Sequence, residues 1–155
     1  MKDLKMKVRP IKNGTVIDHI DAGAVLNVVK ILNLDKRHEN VVSILMNVSG
    51  FEKKKDVVKI ESKELSLEEI NKISLISPNA TINIIRDFNV LEKKQVEVPN
   101  SISVFVKCIN PNCISNSNEP IQSKFNVYEN NKKIQLVCIY CESAINEDIV
   151  KYLIL

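Results

Sequence analysis

All four cysteines fall in two close pairs, Cys108-x4-Cys113 and Cys138-x2-Cys141, and the 107 residues before them contain none. Two short-range pairs joined by a segment that can fold back on itself supply four thiolates to one tetrahedral site, for which Zn²⁺ is the usual occupant. Asn110, Pro111 and Asn112 provide the turn that brings the first pair round. Four thiolates close the coordination shell, so such an ion is structural rather than catalytic. A unit of this size is near the limit at which an apolar core suffices, and the metal's binding free energy makes up the difference. Two disulfides, a redox pair at Cys138 and Cys141, and an iron–sulfur cluster are the other chemistries open to this set. A redox pair leaves the first two thiols idle. Disulfides disagree with the expected compartment: the start, "MKDLKMKVRP", is charged and lacks the apolar core of a signal peptide. A cytoplasmic location keeps thiols reduced.

A second cluster is polar. Asp18 adjoins His19, and Lys59 and Lys93 lie further along. A carboxylate beside an imidazole suggests acid–base chemistry, but neighbours on an extended segment point opposite ways. No nucleophile, P-loop or Gly-x-Gly-x-x-Gly accompanies them. Residues 1–100 carry 17 Lys/Arg against 14 Asp/Glu, whereas 101–155 carry five of each. That excess is too weak for a general nucleic-acid binder. It suits a local site for one small polyanion. Lys53, Lys54 and Lys55 read as a solvated loop.

The elements that must position these residues follow from periodicity. "KMKVRPI" predicts a strand, then a turn at "KNG" and a short apolar segment, "TVIDHI". Val25, Val28, Val29 and Leu32 recur at helical spacing, which predicts a helix over 22–33 with Asp21 as its N-cap. "ENVVSILMNVSG" and "KDVVKIES" predict a strand hairpin around "FEKKK". Ser66 and Glu69 form a capping box that opens a helix with Leu67, Ile70 and Ile73 inward, stopped by Pro78. "ATINIIRDFNVL" predicts one more strand, with "EKKQVEVP" trailing out as a linker. This order is the split βαβ, ferredoxin-like arrangement: an antiparallel sheet with both helices on one face. Its open face needs a cover, and a homodimer through this unit is expected. Beyond Pro99, "SISVFVKC", a hairpin turning at Asn130-Asn131 and a last strand, "DIVKYLIL", predict a small all-β unit. The class is α+β, divided as 1–98 and 99–155.

"KNGTVIDHI", "KKDVVKIE", "SPNATINII" and "CINPNC…CIYCE", in this order over nearly the whole chain, together resemble the regulatory chain of aspartate carbamoyltransferase. The resemblance implies a non-catalytic subunit: a nucleotide-binding allosteric domain followed by a zinc domain that docks a separate catalytic chain of pyrimidine biosynthesis. It implies cytidine, uridine and adenosine triphosphates as effectors, and an assembly of catalytic trimers bridged by regulatory dimers. Carried over by position, ribose and phosphates fall on Asp18, His19, Lys59 and Lys93. The base falls near Ile11, Lys12, Asn83, Ile85, Phe88 and Val90. Asn110, Asn112, Glu119 and Glu142 match positions near the catalytic chain. Departures stand at Arg9, acidic in some relatives; at Phe88, where a Tyr is familiar; and at Ile139 and Ser143, where basic residues are familiar. An RNA-binding or transcription-associated zinc-ribbon module is the alternative. RNA recognition by such a sheet uses exposed aromatics, and Phe88 is the only aromatic expected in this sheet.

Overall fold

The computed structural model describes residues 10–154. The expected first strand and Arg9 lie almost wholly or wholly outside that range. The order is β1 (Gly14–Asp21), α1 (Val25–Ile31), β2 (Val42–Ser49), β3 (Lys54–Glu61), α2 (Leu67–Ile76), β4 (Thr81–Arg86) and β5 (Asn89–Gln95). Then follow β6 (Ser101–Ser103), β7 (Lys124–Asn130), β8 (Lys133–Cys138) and β9 (Ala144–Ile145). The first five strands make an antiparallel sheet in the order β2-β3-β1-β4-β5. Its first four are the ferredoxin-like core, and β5 extends it.

Alternation decides the faces. Ile17, Val58, Ile60, Ile82 and Ile84 point to one side and pack with Val25, Val28, Val29, Ile70 and Ile73 from the two helices. Each such side chain contributes roughly 1.5–3 kcal/mol on burial. The capping box of α2 forms as expected: Glu69 N donates to Ser66 Oγ at 3.2 Å and Ser66 N to Glu69 Oε1 at 2.9 Å. Leu67 is exposed rather than inward. Leu65 packs in its place, in the same cluster as Ile70, as a hydrophobic staple does.

Helix α1 is shorter than 22–33. Asp21 does not cap it; the N-cap is Ala24, which has no capping side chain. Gly23, at φ +93°, keeps the preceding turn out of the helix. The C-terminal stop is a Schellman motif: Asn33 is left-handed at φ 57°, Asn33 N donates to Lys30 O at 3.0 Å and Leu34 N to Val29 O at 2.9 Å.

The span 80–91 is not one strand, nor is 92–99 simply a linker. The chain reverses at Asp87-Phe88, both at positive φ (51° and 66°), and Asn89–Gln95 returns as β5. Asp-Phe is not a common pair for such a turn. Tertiary contacts hold it: Phe88 N donates to Lys12 O at 2.9 Å and Asp87 N to Asn13 Oδ1 at 3.2 Å.

The second sheet runs β6-β7-β8-β9 around Ile102, Phe125, Val127, Leu136 and Ile145. Its hairpin turns at Asn131-Lys132 (φ 51° and 63°), one residue beyond the expected pair. Strand β6 ends at Ser103 because Val104 takes φ 80°. "DIVKYLIL" is not a strand. Asp148 is left-handed at φ 52°, Ile149–Tyr152 form a 3-10 turn, and only Leu153 makes an isolated bridge, to Val106. This turn lets Ile149, Tyr152 and Leu153 pack inward together. Leu75 of α2 joins the core of the second sheet, and Lys72 Nζ sits 5.1 Å from the Phe105 ring centroid. No helix among the described residues is long and apolar enough to cross a membrane.

Candidate metal centre and anion-binding face

The four cysteine sulfurs come together at the end of the second sheet, all within 4.8 Å of one another. Cys108 Sγ lies 3.5 Å from Cys141 Sγ, and Cys113 Sγ lies 3.6 Å from Cys138 Sγ. Those spacings are far too long for disulfides. Tetrahedral Zn–S bonds of about 2.3 Å put sulfurs roughly 3.8 Å apart, so the donor set fits that ion. Each pair sits on a tight loop: Cys113 N donates to Asn110 O at 3.0 Å, and Glu142 N to Cys138 O at 3.0 Å. Asn116 Nδ2 ties the first loop, donating to Cys108 O at 3.1 Å and Asn110 O at 2.7 Å.

The thiols divide by environment. Burial pushes Cys108 up to about 12 and raises Cys138. Ser143, through its hydroxyl and then its backbone, draws Cys141 down to about 6. Burial opposes ionisation of Cys113, but the Ser115 hydroxyl and N–H outweigh it. Ser115 Oγ is 3.2 Å from Cys113 Sγ and Ser143 Oγ 3.3 Å from Cys141 Sγ. These supporting residues were not anticipated. Their signal was present, because Cys-x-Ser occurs in both loops. Ser143, noted only as a departure, supports a sulfur. Asn112, Glu119 and Glu142 are exposed, and Asn110 is half-buried.

The polar cluster gathers on the open face of the first sheet. Val16 pairs with Lys59 on one side and Asn83 on the other, and Asn83 pairs with Lys93. Lys59, Val16, Asn83 and Lys93 thus form one row across four strands, and paired residues point to the same face. Asp18 stands one step along, opposite Thr81, and Ile85 pairs with Val90 one step the other way. Ile11 is buried, and Lys12 is joined to Phe88 by the bond described above. Nine of the ten residues therefore lie on this face or along the turns at its edge, and Ile11 adjoins Lys12 in the chain.

Asp18 and His19 do not point apart as alternation predicts. A β-bulge falls between Ile17 and Ile20, and His19 takes φ 58°. The two side chains lie 4.0 Å apart, and His19 Nδ1 is 2.6 Å from Thr81 Oγ1. Burial works against the Asp18 charge. The Lys55 ammonium, 2.8 Å away, and the His19 N–H, at 2.6 Å, outweigh it and hold the carboxyl below its ordinary range. Lys53, Lys54 and Lys55 are not merely a solvated loop. With His19 and Phe51 they line a pocket of about 210 Å³. A charge run alone gives no sign of such a role. A larger cleft, about 880 Å³ between the end of α2 and the β7–β8 hairpin, contains none of the anticipated ligands.

Comparison with known proteins agrees with this division. The family model for the aspartate carbamoyltransferase regulatory chain, allosteric domain, matches residues 6–97, and that for the metal binding domain matches 100–151. Aspartate carbamoyltransferase regulatory chains from Methanococcoides burtonii and Methanosarcina barkeri are 55% and 53% identical, covering 97% and 96% of this chain and 94% and 96% of theirs. That of Methanothrix thermoacetophila is 51% identical, over 99% of this chain and all of its own. With a four-thiolate centre for one structural zinc in the second sheet and an allosteric domain in the first, the chain belongs to the family of non-catalytic regulatory chains of aspartate carbamoyltransferase.

Proposed function

We propose that residues 1–98 bind cytidine, uridine and adenosine triphosphates on the open face of the first sheet, and that residues 99–155 dock the catalytic chain. The row Lys59–Val16–Asn83–Lys93 carries this reading. It sets one lysine at each end of a row, with Asn83 between them, on the face open to a polyanion. A triphosphate bears about four negative charges, and lysines meet them as mobile point charges. Asp18 accepts from a ribose hydroxyl, and His19 helps meet a phosphate, more strongly when protonated. Backbone groups around Ile11, Lys12 and Phe88 read the base edge, with Ile85 and Val90 beneath it.

Asn110, Asn112, Glu119 and Glu142 form the docking surface, held by the zinc loops. A homodimer through the first unit covers the exposed Val41, Ile44 and Met46 at and beside the β2 edge. The cytoplasm is the compartment that keeps the four thiols reduced for the metal.

Regulation is a shift between two assembly states, produced by any nucleotide that binds one better. A continuous path supports it. Asp21 N, just past the bulge, donates to Ser77 Oγ at 3.0 Å, at the end of α2. Two residues earlier, Leu75 enters the core of the zinc unit. Titrating the full chain and its Lys59→Ala and Lys93→Ala variants with each triphosphate tests the assignment. Binding should weaken while basal catalysis by the assembled complex survives, and full-strength binding by both variants overturns it.

A further inference from the structure

Asp56 is wholly buried, and the anion face does not use it. Its carboxylate accepts three backbone N–H groups: Asn47 N at 2.7 Å on Oδ1, and Gly23 N at 2.8 Å and Val25 N at 3.2 Å on Oδ2. Gly23 and Val25 open α1, whereas Asn47 lies in a bulge of β2, one of two that face the same part of β3. In β1, Ile17 pairs with Val58 and Ile20 with Asp56, so Asp18 and His19 oppose Val57 alone. In β2, Leu45 pairs with Val57 and Val48 with Lys55, so Met46 and Asn47 oppose Asp56 alone. Two bulges therefore flank the same point of β3, and His19 and Asn47 both take the left-handed conformation, φ 58° and 60°. Non-glycine residues hold that conformation only where their surroundings over-determine it. A bulge also leaves an N–H without a ladder partner, and Asp56 takes that of Asn47.

The neighbouring residue completes the grip. Lys55 precedes Asp56 on β3, so their side chains leave opposite faces. Lys55 Nζ holds the Asp18 carboxylate on the open face. Asp56 holds the segment just after His19 on the helix face, through Gly23 and Val25. We propose, resting on the reading of the open face as the effector site, that Asp56 is its positioning residue: it locks the paired bulges that aim Asp18 and His19 at the nucleotide. Helix capping alone does not require this arrangement. A Ser or Asp at position 24 caps α1 locally, whereas the chain has Ala there and buries a carboxylate on another strand.

Asp56→Asn tests this in the full chain. An amide has one acceptor oxygen and two N–H donors, so a donor then faces one of the three N–H groups. Ile73→Val, buried on α2 and without a hydrogen bond to Asp56, serves as a destabilising control. His19 and Asn47 are followed by NMR without nucleotide, and cytidine triphosphate affinity by calorimetry, at a temperature where circular dichroism shows each variant folded. Asp56→Asn should move the His19 and Asn47 signals and weaken binding at least about tenfold, with Ile73→Val within about twofold of the unmodified chain. Adding Asn47→Gly, which accepts positive φ freely, should recover part of the loss; a role limited to overall stability predicts no such rescue. If Asp56→Asn does not fold, Asp56→Glu, which keeps the acceptors but displaces them, takes its place with the same expectations. Unchanged His19 and Asn47 signals, or affinity within about twofold, overturns the proposal. If the unmodified chain binds no triphosphate, the effector reading fails, and the positioning role is decided by the His19 and Asn47 signals alone.

Discussion

Lys55 Nζ lies 2.8 Å from Asp18 Oδ1, joining β3 to β1 beside the β1 bulge on the open face of the first sheet. Each partner keeps about a quarter of its side chain exposed. The contact ties the triple-lysine run to the carboxylate assigned to the ribose.

Acid should loosen this corner. The folded-state pKa of Asp18 is depressed below its ordinary value of 3.8. Its contribution to stability is therefore complete above that value and is lost as the pH falls through the lower, folded-state pKa. The partial exposure limits the effect to about 1 kcal/mol or less. Urea midpoints measured from pH 6 downward should fall less steeply for Asp18→Asn than for the unmodified chain. Equal slopes would remove Asp18 from the acid response.

Lys59 and Lys93 should act on the triphosphate together. A charge-assisted hydrogen bond contributes about 1.5–3 kcal/mol. Each Ala substitution should thus weaken binding roughly ten- to hundredfold, and raising the salt concentration should narrow the difference. Calorimetric titration at two ionic strengths checks both statements.

Removing the metal should act on one unit. The β6–β9 core is small, and its folding free energy includes that of metal binding. A strong chelator, or Cys113→Ser, should unfold the segment around Phe125 and Leu136 and release the catalytic chain. The first sheet, with its own apolar core, should persist. Circular dichroism and size-exclusion chromatography with the catalytic chain provide the readouts; an ordered second unit after metal loss contradicts a structural role.

Leu75→Ala should separate binding from response. Leu75 is on α2 but packs in the second core, so its truncation costs about 2–5 kcal/mol of stability. Triphosphate affinity should stay within about twofold, because Leu75 does not face the anion-binding row. The effect of nucleotide on assembled catalysis should shrink. A response of unchanged size would reroute the coupling away from α2.

Strong local signals survived folding. The capping box at Ser66 and Glu69 depends on residues three apart, and it forms as written. The hairpin of β7 and β8 follows alternation, displaced by one residue at its turn. The spacing of the cysteines alone announced a four-sulfur centre. Where a remote partner decides, local reading failed. Asp21 looked like the cap of α1, but Asp56 performs that task from β3. Asp87-Phe88 turns because Lys12 and Asn13 receive its N–H groups.

By itself the sequence determined the α+β class, the metal chemistry and the family, since each depends on residue types at short, fixed spacing. Tertiary structure alone decided which charges share one face of the sheet. Lys59, Asn83 and Lys93 sit on three separate strands, and pairing register makes them neighbours. The bulge in β1 then overrides the simple alternation that would have turned Asp18 and His19 apart. Register and bulges arise from hydrogen bonds between distant segments, and no window along the chain contains both ends of such a bond.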